Sequence, residues 1–349
     1  MAEGRLRPDL SDLTTLRLGG PADHLVTATT EAELVEAVSR ADTDGTPLLV
    51  LGGGSNVVVA DDGFRGTVVH VATRGLTEDT DACSGATVTV AAGEPWDDVV
   101  RAAVEHGWVG IEALSGIPGS TGATPIQNVG AYGQEIAQTV ARVRTWDRHE
   151  TRICTFAAAD CGFGYRTSRF KAEPGRFVVL SVTFQLPIGD LGVPVTYAEL
   201  ARVLGFEIGS RAPLAEVREA VLALRRAKGM VLDPADHDTW SAGSFFTNPV
   251  VSADAVPEQA PRWPQPDAPE GSRVKTSAAW LIEQAGFGKG YGAGQARLSG
   301  KHTLALTNRG AASTSDLLAL AAELRAGVRE RFGIELVNEP VLVGCALPG

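Results

Sequence analysis

The chain has 349 residues, 44% of them hydrophobic and 21% charged, with 40 glycines, 19 prolines and a formal net charge of -11. That length exceeds the usual size of one hydrophobic core, so two or three domains are expected, and the acidic balance argues against nucleic-acid or anionic-membrane partners, which need a basic footprint. Cys83, Cys154, Cys161 and Cys345 show no CxxC or zinc-ligand spacing and the six histidines do not cluster with them, so no metal site and a reducing compartment are expected.

Met1 to Asp12 lacks the basic start and apolar core of a leader, and no apolar run approaches the ~18 to 20 residues of a membrane span, so a cytoplasmic protein is expected. Thr30 and Glu33 form a capping-box pattern ahead of Leu34, Val35, Val38 and Ala41, which predicts a helix ending near Gly45. Leu48 to Leu51 reads as a buried strand, followed by a glycine turn and by strands at Val57 to Val59 and Thr67 to Val71. Ala86 to Ala91 alternates as a strand, and Pro95 to His106 reads as a helix with Pro in its first turn and Gly107 at its end. Arg142 to Trp146 and Phe177 to Leu186 are expected strands framing a GFGYR stretch. Pro213 to Lys228 is an amphipathic helix stopped by Gly229, Val256 to Pro269 is a loop with five prolines, and Thr314 to Phe332 is a long helix ended by Gly333.

Two stretches carry ligand-binding chemistry. Gly52-Gly53-Gly54-Ser55-Asn56 follows a buried strand, where glycines let backbone N–H groups approach a phosphate; a plain strand-ending turn has the same composition. It is neither a Walker loop nor a GxGxxG, since Val57 stands where the last glycine belongs. Ala113 to Gln134 runs twenty-two residues without a charge and is rich in Gly, Ser, Thr, Asn and Gln. Such a loop can cradle a pyrophosphate and a flavin edge with backbone dipoles and amides, the alternative being an ordered surface loop.

Leu51-GGGSN-Val57, PGSTGATPIQNVGAYGQE from Pro118 to Glu135, GFGYR from Gly162 to Arg166 and GSFFTNP from Gly243 to Pro249 together resemble the UDP-N-acetylenolpyruvoylglucosamine reductases (UDP-N-acetylmuramate dehydrogenases), in order and spacing, from Leu18 to Glu339. Val195 to Leu200 is similar to the tyrosine loop of that family's first structural type. The resemblance implies an α+β chain with a vanillyl-alcohol-oxidase/PCMH-type FAD-binding fold of two α+β subdomains and a C-terminal α+β substrate-binding domain. The expected boundaries are 1–71 with 341–349, 72–229, and 230–340. It implies non-covalent FAD, NADPH as reductant, and UDP-N-acetylglucosamine-enolpyruvate as the substrate reduced to UDP-N-acetylmuramate for peptidoglycan; it leaves the oligomeric state unspecified. The expected FAD contacts are Gly52, Gly53, Gly54, Ser55, Asn56, Gly116, Pro118, Gly119, Ser120, Gly122, Ala123, Gln127, Asn128, Gly130, Ala131, Tyr132 and Gly133.

On this resemblance hydride adds to the methylene of an enol ether conjugated to a carboxylate, and the enolate needs a clamp and an acid. Arg166 is the expected clamp, its fork matching a carboxylate bidentately, although a surface ion pair is the commoner use of an Arg. Ser244 is the expected proton donor, although its setting also suits a turn serine. Glu339, expected near the end of an apolar strand through Leu336-Val337-Asn338, is the third catalytic residue the resemblance implies. Tyr165, Tyr197, Lys228, Asn248 and Trp263 are expected substrate contacts; Arg225, Arg226, Lys275, Lys289 and Lys301 are further basic candidates. The sequence departs from the family pattern at Trp263, where a tyrosine is usual, at Thr247, where some members have lysine, and at Val341, where an arginine is usual. A sugar or alcohol oxidase on the same fold, and a flavin-binding module without turnover, are the competing readings. Such an oxidase often tethers its flavin through His or Cys, and near these loops only Cys161 is available.

Overall fold

The structure, a computed structural model, describes residues 8–81, 83–265, 269 and 272–348. The start of the stretch read as leaderless and residues 266–268 of the proline-rich loop lie outside them. The chain forms two compact units, here called terminal (Met1–Ala22, Gly54–Phe64, Lys228–Gly349) and middle (Asp23–Gly53, Arg65–Ala227) from their places in the sequence.

In the middle unit the capping box forms as expected. Thr30 Oγ1 accepts from Glu33 N at 3.2 Å and Glu33 Oε2 accepts from Thr30 N at 3.2 Å, opening the helix Glu31–Thr43. Leu34, Val38 and Ala41 turn inward from it. Leu48–Leu51 pairs in parallel with Phe64–Val71, Leu48 opposite Thr67.

A five-stranded sheet organises the rest of this unit, in the order Arg152–Ala157, Val140–Asp147, Phe177–Leu186, Gly85–Ala91, Leu76–Asp81, with every pairing antiparallel. Phe177–Leu186 is central because its run of Val, Leu and Phe can be covered on both faces: Val178, Val179, Leu180, Val182, Phe184 and Leu186 are buried. Against it lies the helix Trp96–Glu105, one residue shorter at each end than the sequence suggested because Pro95 is its N-cap and His106 its C-cap. Trp96 and Phe184, both fully buried, pack with ring centroids 5.7 Å apart. Each buried side chain of this size stabilises by about 1.5–3 kcal/mol relative to exposure. The helix Leu214–Ala227 buries Val217, Ala220, Val221 and Leu224.

The terminal unit holds two three-stranded antiparallel sheets, Ser241–Ser244/Ala305–Asn308/Ala296–Leu298 and Val250–Ser252/Arg273–Thr276/Arg262–Pro264. Its long helix, Thr314–Phe332, has the predicted bounds, buries Leu317, Ala321, Leu324 and Val328, and ends at Gly333 with φ 67°. Asp61 accepts from Thr314 N at 2.6 Å and Ser315 N at 3.0 Å, placing a carboxylate at the positive end of that helix. Val341–Val343 runs parallel to Val57–Val59. The described chain is mixed α and β as expected, and none of its described helices is long and apolar enough to cross a membrane.

Candidate active site

The middle unit brings the two glycine stretches into contact. A Cβ on Gly52 would lie 2.3 Å from Ser120 Oγ, and one on Gly53 would lie 2.7 Å from Gly119 Cα. Gly53 N donates to Ser120 Oγ at 3.4 Å. Only glycines allow two turns 67 residues apart to stack backbone on backbone. Gly122 is similarly tight, its would-be Cβ 2.5 Å from Ala92 Cβ. Gly116 N donates to Asp97 Oδ1 at 2.6 Å and Gly122 N to Ala92 O at 2.8 Å, so these two residues shape the cradle with their own amides. A side-chain-free surface of amides and hydroxyls next to a charge-free loop is the donor set that FAD's pyrophosphate and ring edge take, and the residues present fit that group.

Further along the loop, Gly130–Ala131 and Gln134–Glu135 form a two-residue hairpin whose turn residues, Tyr132 (φ 50°) and Gly133 (φ 88°), both have positive φ, the requirement of a type I′ turn. A tyrosine here is strained, and the turn puts its ring against Tyr197 edge-on at 5.4 Å. The would-be Cβ of Gly133 sits 2.2 Å from Thr196 Oγ1. The expected flavin loop and the expected tyrosine loop are therefore in direct contact.

Arg166 occupies a second strained turn. Gly164 and Thr167 exchange backbone bonds at 3.1 and 3.2 Å, leaving Tyr165 and Arg166 at the tip with Arg166 at φ 52°. Its guanidinium donates to Gly130 O at 2.9 Å and Asn128 O at 3.4 Å, and its carbonyl accepts from Lys171 Nζ at 2.9 Å. Lys171 Nζ also reaches Gln127 Oε1 at 3.2 Å. Asn128, buried and at φ 46°, donates to Glu135 Oε2 at 2.8 Å and Gly164 O at 3.1 Å. Gln127, Asn128, Gly130, Glu135, Arg166 and Lys171 thus form one hydrogen-bonded knot.

Beneath the loop, Asp97 takes both Arg218 donors at 2.7 and 2.9 Å. Burial works to raise its carboxyl, but Arg218, Gly116 N–H and Arg225 outweigh it and hold it below the usual carboxylate range. Burial pushes the Arg225 guanidinium down to about 10, opposed by Tyr132 and Asp97, so it still carries its charge at neutral pH. Burial also pushes the Cys161 thiol up to about 11, which makes it a poor nucleophile and a poor flavin tether.

In the terminal unit Ser244 lies beside Glu339. Ser241 pairs with Thr307 but Ser244 with Ala305, so three steps on one strand match two on the other; Gly243, at φ 73°, absorbs this bulge and re-aims Ser244. Phe245 and Phe246 are buried immediately after it, Glu339 N donates to Phe245 O at 2.8 Å, and Phe246 bridges Asn338. The strand expected before Glu339 does not form: residues 334–337 have no regular structure, and the alignment comes from a single bridge between Phe246 and Asn338, with Thr247 N donating to Val337 O at 3.0 Å. Asn248 Oδ1 accepts from Ala278 N at 3.0 Å, the first residue of the helix Ala278–Gln284. Gly54, at φ 60°, abuts Leu13 O, Asn56 O accepts from Val341 N at 3.0 Å, and Trp263 is 45% exposed on its edge strand. Lys301 pairs with Asp236 at 2.5 Å.

A buried charge next to the loop that the sequence did not single out is Glu112, one residue before the charge-free segment. It accepts from Gly110 N, Gln134 Nε2 and Val193 N at 2.7, 2.8 and 2.8 Å. A lone acid at the lip of an uncharged stretch was the available signal.

Comparison with known proteins matches residues 22–155 to an FAD binding domain and residues 233–343 to the C-terminal domain of UDP-N-acetylenolpyruvoylglucosamine reductase. A UDP-N-acetylenolpyruvoylglucosamine reductase of Cutibacterium acnes is 60% identical over 341 residues, covering 97% of this chain and 90% of the relative. The enzyme of the same name from Streptomyces coelicolor is 58% identical, again over 97% of this chain and 90% of the relative. Among solved structures, UDP-N-acetylenolpyruvylglucosamine reductase from Thermus caldophilus superposes with a TM-score of 0.64 at 28% identity, covering 97% of this chain and 98% of that one.

Proposed function

We propose a division of catalytic labour among three side chains from one premise: the chain belongs to the UDP-N-acetylenolpyruvoylglucosamine reductase family. It is an FAD-containing, NADPH-dependent oxidoreductase that reduces UDP-N-acetylglucosamine-enolpyruvate to UDP-N-acetylmuramate in peptidoglycan synthesis. FAD bound there would supply the hydride, drawn from NADPH, that reaches the methylene carbon of the enolpyruvyl group. Gly52 to Asn56 and the loop 116–133 hold it through backbone N–H groups, amides and hydroxyls. Residues 1–71 with 341–349 and residues 72–229 are the flavin-binding subdomains, and residues 230–340 bind the nucleotide sugar, with Tyr165, Tyr197, Lys228, Asn248 and Trp263 among its contacts. NADPH and the UDP-sugar place the reaction in the cytoplasm.

As hydride arrives, negative charge spreads into the substrate carboxylate. Arg166, half-buried and anchored on Gly130 O, meets it with little reorganisation. Ser244 gives its proton to the carbon next to the ether oxygen, an acceptor basic enough to take it. Glu339 hydrogen-bonds the carboxylate or steadies the donor.

One observation supports the acid assignment: the Gly243 bulge and the Glu339 N to Phe245 O bond set a hydroxyl and a carboxylate on adjacent chain segments beside two buried aromatics. Stopped-flow measurement of the two half-reactions tests it. Ser244→Ala should leave reduction of FAD by NADPH near the parental rate and slow reoxidation by substrate by roughly two orders of magnitude or more. Reoxidation at the parental rate would remove Ser244 from the mechanism.

A further inference from the structure

Glu112 has no part in that chemistry, yet its carboxylate ties together two loops that do. The residue is 1% exposed, at the start of the short turn Glu112–Leu114. Its Oε2 accepts from Gly110 N, within its own loop. Its Oε1 accepts from Gln134 Nε2, at the end of the flavin loop, and from Val193 N, 81 residues away in the strap that leads to Tyr197. Gln134 Oε1 returns the contact by accepting from Ala113 N at 2.8 Å. Gly192 fits onto the same oxygen so closely that a Cβ there would stand 2.6 Å from Oε1.

The same two loops touch again at Tyr132–Tyr197 and Gly133–Thr196. Between the two contacts is a cavity of about 380 Å³, lined on the strap side by Val193, Pro194, Val195 and Thr196 and on the other by Glu112 and Gln134. Val195 ties the far side of the strap to Ser210 O and Gly209 N, both at 2.8 Å, while on the flavin-loop side the cavity leaves Glu112 and the Tyr132 and Gly133 contacts to set its position. Three N–H donors converge on Glu112, and only a carboxylate offers acceptors in all three directions; a glutamine would aim its NH₂ at one of those N–H groups. A buried carboxylate met by neutral donors is a costly anchor for a purely structural contact.

We propose that Glu112 is a positioning residue for Tyr197: it fixes the strap against the flavin loop, and so sets the affinity for the nucleotide sugar without touching it. This rests on the reading of Tyr197 as a substrate contact. The test is a double-mutant cycle in the FAD-loaded full chain, with Glu112→Gln, Tyr197→Ala and the pair, reading FAD content, the rate of FAD reduction by NADPH, and KM and kcat for the enolpyruvyl UDP-sugar. Glu112→Gln should keep FAD and the NADPH rate and raise KM by about tenfold, with kcat changed less, as loss of a buried charge-assisted bond predicts. In the Tyr197→Ala background it should change KM by less than about twofold, because its effect runs through that ring. Gly192→Ala, which keeps the carboxylate and crowds Oε1 from the strap side, should reproduce the pattern and decides the matter if Glu112→Gln does not hold FAD. Full additivity of the Glu112 and Tyr197 effects, no KM change from Glu112→Gln, or loss of FAD from both Glu112→Gln and Gly192→Ala overturns the proposal. A Tyr197→Ala enzyme with parental KM overturns the underlying substrate reading, and the proposal with it.

Discussion

At residue scale, the strain at Arg166 is the feature that most constrains its role. A non-glycine residue held in the left-handed region costs about 1–2 kcal/mol and persists only where its surroundings over-determine it. Here the Gly164–Thr167 pair closes the turn from behind, and the guanidinium's bonds to Gly130 O and Asn128 O hold it from in front. A lysine could reach one of those carbonyls but has no planar fork with which to hold two and still face a carboxylate. Arg166→Lys should therefore slow reoxidation of the reduced flavin by substrate at least roughly tenfold while NADPH still reduces the flavin. If rapid-mixing traces show both half-reactions falling together, the residue props up the loop and does not clamp the substrate.

The glycine turns make the corresponding case for elements. Gly53 and Gly45 are both small residues near turns, but a Cβ on Gly53 would strike Gly119 Cα at 2.7 Å, backbone that cannot swing aside, whereas Gly45, at φ 64°, has nothing within 4 Å. Gly53→Ala should thus push the two turns apart and weaken FAD binding by about tenfold or more, while Gly45→Ala should cost only about 1 kcal/mol of backbone strain and leave affinity alone. Titration of the apoproteins with FAD distinguishes them, and equal affinities would mean that the stacked turns do not form the cradle. The same elements show how much was legible in the sequence. Short-range signals were faithful: Thr30 and Glu33 mark the first helix, and Thr314 to Phe332 has its predicted bounds because cap, apolar spacing and terminal glycine agree. Leu76–Asp81 was missed because LTEDTD at a sheet edge is almost wholly exposed and shows no alternation; its partner Gly85–Ala91, not its own residues, makes it a strand. The cradle was legible as composition but not as a contact, since the pairing of Gly53 with Ser120 spans 67 residues and depends on the fold. Ser244 and Glu339 were named through resemblance, while the Gly243 bulge that aims the one and the single bridge that aligns the other are packing effects around Phe245 and Phe246. Glu112 was marked only by its place at the lip of an uncharged stretch; its burial, which gives that place meaning, is a property of the fold.

For the whole molecule, with its net charge of -11, the carboxylates that matter to stability are those folding has made more acidic. Arg176 holds the Asp147 carboxyl below the usual carboxylate range, helped by the backbone N–H groups of Glu150 and His149 against the opposing effect of burial. The Asp147 side chain is only 2% exposed, and Arg176 Nη2 meets it at 2.8 Å. Asp61 and Asp97 are also lowered: burial works against the charge in both, and the helix N–H groups of Thr314 and Ser315 overcome it for Asp61, Arg218 for Asp97. A carboxyl whose folded value lies below its unfolded value, near 3.9, adds stability that is present above that value and is lost as pH falls through the folded one. The expected window of acid destabilisation therefore opens below about pH 4 and not in the neutral range. Asp147→Asn isolates one such contribution, because it removes the charge while nearly preserving volume and leaves an oxygen for His149 N–H. At pH 7 it should lower stability by about 1.5–3 kcal/mol, the range for a hydrogen bond to a charged group. At pH 3 the gap between variant and parent should narrow, since pH 3 lies below the unfolded value, where the unfolded chain takes up the proton and the stability gained from the charge is already being lost. Denaturant midpoints of the two proteins at both pH values provide the comparison. A gap of the same size at pH 3 and pH 7 would mean that Asp147 contributes through shape and neutral hydrogen bonding, and that its charge is incidental to the fold.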